Sequence, residues 1–106
     1  MWAASYTSTT GSLTRINPST HAWTSFGDSP AYMTGLAFDG TYIWVEAQDE
    51  VVEILPSTGA VIGTYPASNI GVDLAHGDSA IAFDGANVWV LSYGGLGAGT
   101  TSAYKF

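Results

Sequence analysis

A four-residue string, Ala-Phe-Asp-Gly, occurs twice in this chain of 106 residues, at 37–40 and at 82–85. Each copy is followed, after two intervening residues, by an aliphatic residue, tryptophan and valine, at 43–45 and 88–90. The two copies lie 45 residues apart. A repeat of roughly 40–50 residues with strand-forming content is typical of the blades of a β-propeller. The sequence therefore predicts an all-β fold built from repeated blades.

One complete unit covers residues 33–65 and contains four short runs of apolar, β-branched and aromatic residues. Strands are predicted at 33–38, 42–47, 51–55 and 60–65. Asp39-Gly40 joins the first two, and we predict a type I′ hairpin turn there because glycine adopts positive φ freely. Pro56 and Gly59 bound a second turn between the last two strands. Four short antiparallel strands joined by such turns form one propeller blade.

Partial units lie on both sides of the complete one. Strands are predicted at 2–6, 12–17 and 22–26 in a first partial blade over 1–26, and at 79–83, 87–92 and 102–106 in a last one over 79–106. With the strands of a blade lettered A to D from the innermost outwards, the chain reads BCD–ABCD–ABC. The predicted fold is thus one β-propeller segment, 1–106, of about two and a half four-stranded antiparallel blades.

A propeller segment of this size has a physical consequence. Closed rings have about four to eight blades, so two and a half blades leave an apolar face open at each end. We therefore expect the chain to be completed by other copies of itself, as a homo-oligomer or filament, or by the remainder of a larger propeller.

Composition excludes several function classes. The formal net charge is −7, from nine acidic residues against Arg15 and Lys105. Such an acidic chain repels phosphate backbones and anionic lipid surfaces, so we predict no nucleic-acid partner and no membrane insertion. With no cysteine there is no disulfide and no thiolate chemistry. The many Ser, Thr, Gly and aromatic residues favour an extracellular or virion protein, such as a phage or bacterial surface protein.

The run at 36–45, together with Ile-Leu-Pro-Ser-Thr-Gly at 54–59, resembles the YVTN/NHL-like propeller repeats. The pattern is closest to the blades of streptogramin (virginiamycin B) lyase-type propellers, and it extends over essentially the whole chain. The lyases use a His/Glu arrangement with a magnesium ion near the central channel. His21 falls in a turn and His76 in a long connection, neither with a partner at the motif spacing. We therefore assign no catalytic residue, metal or cofactor.

The longest connections between predicted strands indicate where a ligand would bind. In a propeller, the D–A and B–C connections share one face of the ring, and here they include the long segments 66–78 and 93–101. Loops on a rigid scaffold are where binding residues concentrate. The predicted ligand-binding residues on this face are Tyr32, Asp73, His76, Asp78 and Tyr93. Asp73, His76 and Asp78 are residue types that can ligate a metal, but their spacing matches no established metal pattern, and a solvated loop with local Asx turns is the default interpretation.

Trp2, Trp44 and Trp89 occupy one position of the repeat. We interpret them as packing residues between blades, with an aromatic platform for sugars as the alternative. Three functions follow from these features. The first is a non-catalytic, self-assembling structural module that uses exposed blade faces. The second is a lectin-like module that binds carbohydrate or a small ligand on the long-loop face, and the third is a lyase-like enzyme.

Overall fold

The computed structural model describes residues 1–6, 11–29, 33–47, 49–71, 79–93 and 101–106. The described part of the chain contains ten strands and one short helix, α1 (Ala67–Ile70). The strands are β1 (Trp2–Tyr6), β2 (Gly11–Ile16), β3 (Trp23–Ser29), β4 (Gly35–Phe38), β5 (Ile43–Glu46), β6 (Glu50–Ile54), β7 (Val61–Pro66), β8 (Ser79–Phe83), β9 (Val88–Tyr93) and β10 (Thr101–Lys105).

The strands form three antiparallel sheets in chain order. The first sheet has the order β1-β2-β3, the second β4-β5-β6-β7 and the third β10-β9-β8. Every pair of neighbouring strands is antiparallel. The prediction of an all-β fold is confirmed, and the ten strands lie within a few residues of their predicted positions.

Two predicted connections differ from the structure. Residues 27–29 were expected to leave the first sheet, but β3 continues through them and ends at Ser29. The segment after β7 was expected to be a loop, yet its first four residues form the single helical turn α1. This turn ends at Gly71, which takes the left-handed conformation at φ 69°. Glycine commonly ends a helix in this conformation because it has no Cβ to clash with the backbone.

The Asp-Gly turns are hairpin turns, but they are not type I′. Type I′ requires positive φ at both central residues. Gly40 and Gly85 have φ of 96° and 98°, whereas no non-glycine residue in these two turns has positive φ. The prediction of turn type was wrong because the aspartate fixes the turn through its side chain, as described below.

The two Pro-Ser-Thr turns share one backbone conformation despite one sequence difference. Gly59 ends the turn in the second sheet with φ 76°, and His21 holds the equivalent place in the first sheet with φ 61°. Each donates its backbone N–H at 2.8 Å to a carbonyl four residues earlier, Leu55 for Gly59 and Asn17 for His21. His21 thus adopts a left-handed conformation that glycine adopts at lower cost.

The second sheet lies between the other two and is apolar on both faces. One face, which includes Ile43 and Val52, packs with Leu13 of the first sheet. The opposite face, which includes Trp44 and Val51, packs with the third sheet through a cluster with Val88 and Val90. Neighbouring residues of a strand point to opposite faces, so Trp44 and Val45 belong to different clusters. This double burial explains the adjacent apolar residues of the two central strands, 43–45 in β5 and 51–52 in β6.

Candidate functional site

Most of the predicted ligand-binding residues lie outside the described part of the chain. This holds for Tyr32, Asp73, His76 and Asp78. Tyr93 is the last residue of β9, and its side chain is not among those described. The predicted ligand site on the long-loop face therefore stays a prediction, and we turn to the sites that the described residues form.

The repeated Asp-Gly turn is a hydrogen-bonded unit centred on the aspartate. Asp39 Oδ1 accepts the backbone N–H groups of Thr41 at 2.8 Å and Tyr42 at 2.6 Å, while Oδ2 accepts the indole N–H of Trp44 at 2.8 Å. The carboxylate thereby ties the turn to the tryptophan of the following strand. This explains on structural grounds why Asp, Gly and Trp recur together.

The second copy of the turn repeats these contacts atom for atom. Asp84 Oδ1 accepts the N–H groups of Ala86 at 2.8 Å and Asn87 at 2.7 Å, and its Oδ2 accepts the Trp89 indole at 2.6 Å. The N–H groups of Asn87 and Ala86 and the Trp89 indole together hold the pKa of Asp84 below its ordinary value. For Asp39, burial acts to raise the pKa, but the donors on Tyr42, Trp44 and Thr41 outweigh it and lower the pKa.

Two of the three equivalent tryptophans are packed between sheets. Trp44 is 7% exposed and stacks on Tyr65 with ring centroids 5.7 Å apart. Trp2 stacks in the same way on Phe26, at 6.0 Å. Each of these stacks lies within a single sheet. Between sheets, Trp44 contacts Phe106 with ring centroids 4.8 Å apart, and Trp2 packs against the apolar cluster that includes Ile43. These contacts agree with the interpretation of both residues as packing residues. Trp89 differs, because it is 36% exposed, and the described residues of the third sheet form three strands with none in the place of β7.

Trp89 lies on a solvent-facing surface that we call the outer face of the third sheet. Strand pairing places its members opposite one another in two rows, Ala80–Leu91–Ala103 and Ala82–Trp89–Lys105. All six residues are exposed, Leu91 by 39%. Residues of the other face, such as Val88 and Val90, are buried against the second sheet. Five of the six side chains on the outer face are apolar, and the sixth places its ammonium group 5.9 Å from the Trp89 ring centroid.

The outer face of the first sheet is also exposed but more mixed in character. It consists of the residues that alternate with those packed on the second sheet, namely Met1, Ala3, Thr14, Ile16, Trp23 and Ser25. Met1 is 69% exposed and Trp23 70%. Thr14 and Ser25 satisfy each other by a hydroxyl hydrogen bond of 2.9 Å. Apart from the terminal amine of Met1, which donates to the Ile16 carbonyl, none of these six residues carries a charge.

Glu46 on β5 is a polar residue that the sequence analysis did not single out. Its side chain is fully buried where the second sheet meets the third, and its Oε1 contacts the hydroxyls of Thr34 and Ser79. Its Oε2 is buried, with no hydrogen-bond partner among the described residues. Burial raises the pKa of Glu46, and the hydrogen bond from Thr34 offsets this only in part. The sequence does contain a sign of this residue, because Glu46 occupies the repeat position at which the third unit has the apolar Leu91.

Within the described residues, no three His, Asp or Glu side chains lie close enough together to hold a metal ion. The same part of the chain contains no helix that is long and apolar enough to cross a membrane.

The chain matches no protein-family model, no curated protein and no solved structure. Among the described residues, the candidate site with the best physical support is the pair of exposed outer faces on the first and third sheets.

Proposed function

We propose that this chain is a non-catalytic structural module, a β-propeller segment that associates with other copies of itself through its exposed sheet faces. The observation that carries the proposal is the outer face of the third sheet. It is an apolar sheet face in solvent, and its residues occupy the repeat positions that the second sheet buries. Contiguous apolar patches of this kind mark interaction sites in soluble proteins.

The equivalence of the two faces supports the proposal residue by residue. Trp89 corresponds to Trp44, and Ala82 to Ala37. Trp44 and Ala37 are 7% and 8% exposed because the third sheet covers them. Their counterparts in the third sheet are exposed. A further sheet packed in the same way would bury this second set.

The outer face of the third sheet differs at one position from the corresponding buried face of the second sheet, and this difference favours an interface. Leu91 stands where the second sheet has Glu46, so no carboxylate would be desolvated if the outer face were covered. Burying an unpaired charge is costly, whereas burying a leucine side chain contributes about 1.5–3 kcal/mol. Lys105 keeps its charge at the border of the face, over the Trp89 ring, where cation–π contact still permits solvation.

Substitution on the outer face tests the proposal. Leu91→Glu places a charge in the middle of the apolar surface, and we expect the native mass measured by light scattering to fall to that of one chain, 11.0 kDa. Thr41→Glu is the matched control, because it adds the same charge at an exposed turn position of the second sheet. Circular dichroism establishes that both variants keep their strands. If Leu91→Glu assembles as the unsubstituted chain does, this face does not mediate association.

A further inference from the structure

We propose that the association is directional, so that the outer face of the third sheet in one copy packs on the outer face of the first sheet in the next. This proposal rests on the self-association proposed above and adds the identity of the second surface. It follows from the way in which the three sheets of one chain already contact one another.

Each sheet contacts the next one along the chain with the face that bears its repeat tryptophan. The first sheet packs on the second with the face of Trp2 and Leu13. The second sheet packs on the third with the face of Trp44 and Val51. Leu13 and Val51 are equivalent residues of strand C, each paired across the sheet with an aromatic residue, Phe26 and Tyr65. The same type of face is therefore used twice in the same direction.

In both contacts, the next sheet along the chain presents its other face, which lacks the repeat tryptophan and which we call the receiving face. The second sheet receives the first with Ile43 and Val45, which flank Trp44 in β5. The third sheet receives the second with Val88 and Val90, which flank Trp89 in β9. Each receiving face is thus formed by residues that alternate with the tryptophan.

One face of each type is left exposed by this arrangement. The third sheet exposes its tryptophan-bearing face, with Trp89 and Leu91. The first sheet exposes its receiving face, on which Ala3 is equivalent to Val45 and Ile16 to Ile54. The two exposed faces are thus the two halves of the contact that the chain forms twice internally. A two-fold dimer would instead join two faces of one type, a contact that the described residues do not contain.

The chemistry of the receiving face agrees with a copy of this chain as its occupant. The six residues named for this face have uncharged side chains and include Ile16 and the exposed Trp23, which suit an apolar surface of alanine, leucine and tryptophan. Contacts between unlike faces are heterologous, and they close into a ring or continue as a filament according to the rotation between copies.

Two variants, each with one blocked face, test the direction. Leu91→Glu blocks the tryptophan-bearing face, and Ala3→Glu blocks the receiving face at an exposed position. We expect each variant alone to be monomeric and an equimolar mixture to form a dimer, because each contributes the one intact face that the other lacks. The mass of the mixture would thus be twice that of either variant. Trp23→Glu, at a residue that is 70% exposed, is a second block of the receiving face if Ala3→Glu does not fold.

The other outcomes separate this proposal from the proposed function. If Ala3→Glu alone forms a dimer while Leu91→Glu does not, the third sheet of one copy associates with the third sheet of another. The proposed direction of the contact would then be wrong, and self-association would remain correct. If both variants assemble as the unsubstituted chain does, the two faces are not the contact surfaces. If the unsubstituted chain is monomeric, the proposed function fails and the directional contact fails with it.

Discussion

Replacing Glu46 by glutamine should stabilise the fold in a pH-dependent way. Glu46 is 0% exposed, and in the part of the chain that the structure describes its Oε2 has no hydrogen-bond partner. Glutamine has nearly the same shape and keeps an oxygen to accept from Thr34, but it carries no charge at any pH. The substitution therefore isolates the cost of the ionisable group at the contact between the second and third sheets.

The magnitude follows from the linkage between protonation and folding. Burial raises the pKa of Glu46 in the folded chain from an ordinary value of 4.5. Below 4.5 the carboxyl is protonated in both folded and unfolded chains. Above that value the unfolded chain loses the proton first, so the free energy of unfolding falls by up to about 1.4 kcal/mol per pH unit until the folded carboxyl also ionises. Glutamine places a buried amide where the Oε2 of Glu46 lies, so the unsatisfied position remains and only the charge is removed. The variant should therefore gain stability over the unsubstituted chain as the pH rises above 4.5, by up to about 1.4 kcal/mol for each pH unit.

Urea unfolding followed by tryptophan fluorescence, from about pH 4 to about pH 8, measures this difference in the free energy of unfolding. The chosen pH range includes the region above the ordinary glutamate pKa, where the difference should grow. Protein concentration is held constant so that self-association affects all samples equally. Glu50→Gln is the matched control, because it removes one negative charge from β6 of the same sheet at a position that is only half-buried. A stability difference between Glu46→Gln and the unsubstituted chain that does not grow with pH would refute the reasoning. So would a variant that is less stable near neutral pH.

Further substitutions test the turns and the packing. Asp39→Ala removes the acceptor of three hydrogen bonds and should lower the free energy of unfolding by about 1–2 kcal/mol, whereas Asp39→Asn, which keeps one side-chain oxygen, should lose less. The folded Asp39 pKa is lowered, so this stabilisation should be present above its ordinary value of 3.8 and be lost as the pH falls through the lower folded value. Gly59→Ala should destabilise by more than about 1 kcal/mol, because φ is 76° and a Cβ there would come within 2.7 Å of the Phe26 ring. His21→Gly should instead stabilise by about 1 kcal/mol, because a non-glycine residue holds the same left-handed conformation there. Trp44→Ala should cost about 3–5 kcal/mol, since it opens a cavity between two sheets. Urea unfolding near neutral pH measures the effect of each substitution, and the same measurement at acidic pH follows the loss of the Asp39 contribution. Unchanged stability in any of these variants would contradict the contact on which its prediction rests.

The strands and turns could be predicted because their signals are local. An Asp-Gly dipeptide before a run of aliphatic residues and tryptophan specifies a hairpin from within ten residues of sequence. The turn type was missed for a physical reason that also lies in the sequence. The Asp39 side chain accepts two backbone N–H groups and the Trp44 indole, and this fixes a turn in which only Gly40 needs positive φ.

The exposed faces could be predicted only in outline. Trp44 and Trp89 have nearly the same local sequence and the same turn, yet one is buried and the other is not. The difference arises from whether a sheet packs on that face, which is a property of the tertiary arrangement. Glu46 was missed for a related reason, because an acid between apolar residues of a strand resembles one that alternates toward solvent. Only the structure places it where the third sheet covers it.

The native mass of the unsubstituted chain, measured by light scattering over a wide range of protein concentration, is the most direct test of self-association. We predict a mass that is a multiple of 11.0 kDa and that rises with concentration or settles at one closed assembly. A folded chain that remains at 11.0 kDa at every concentration would contradict it.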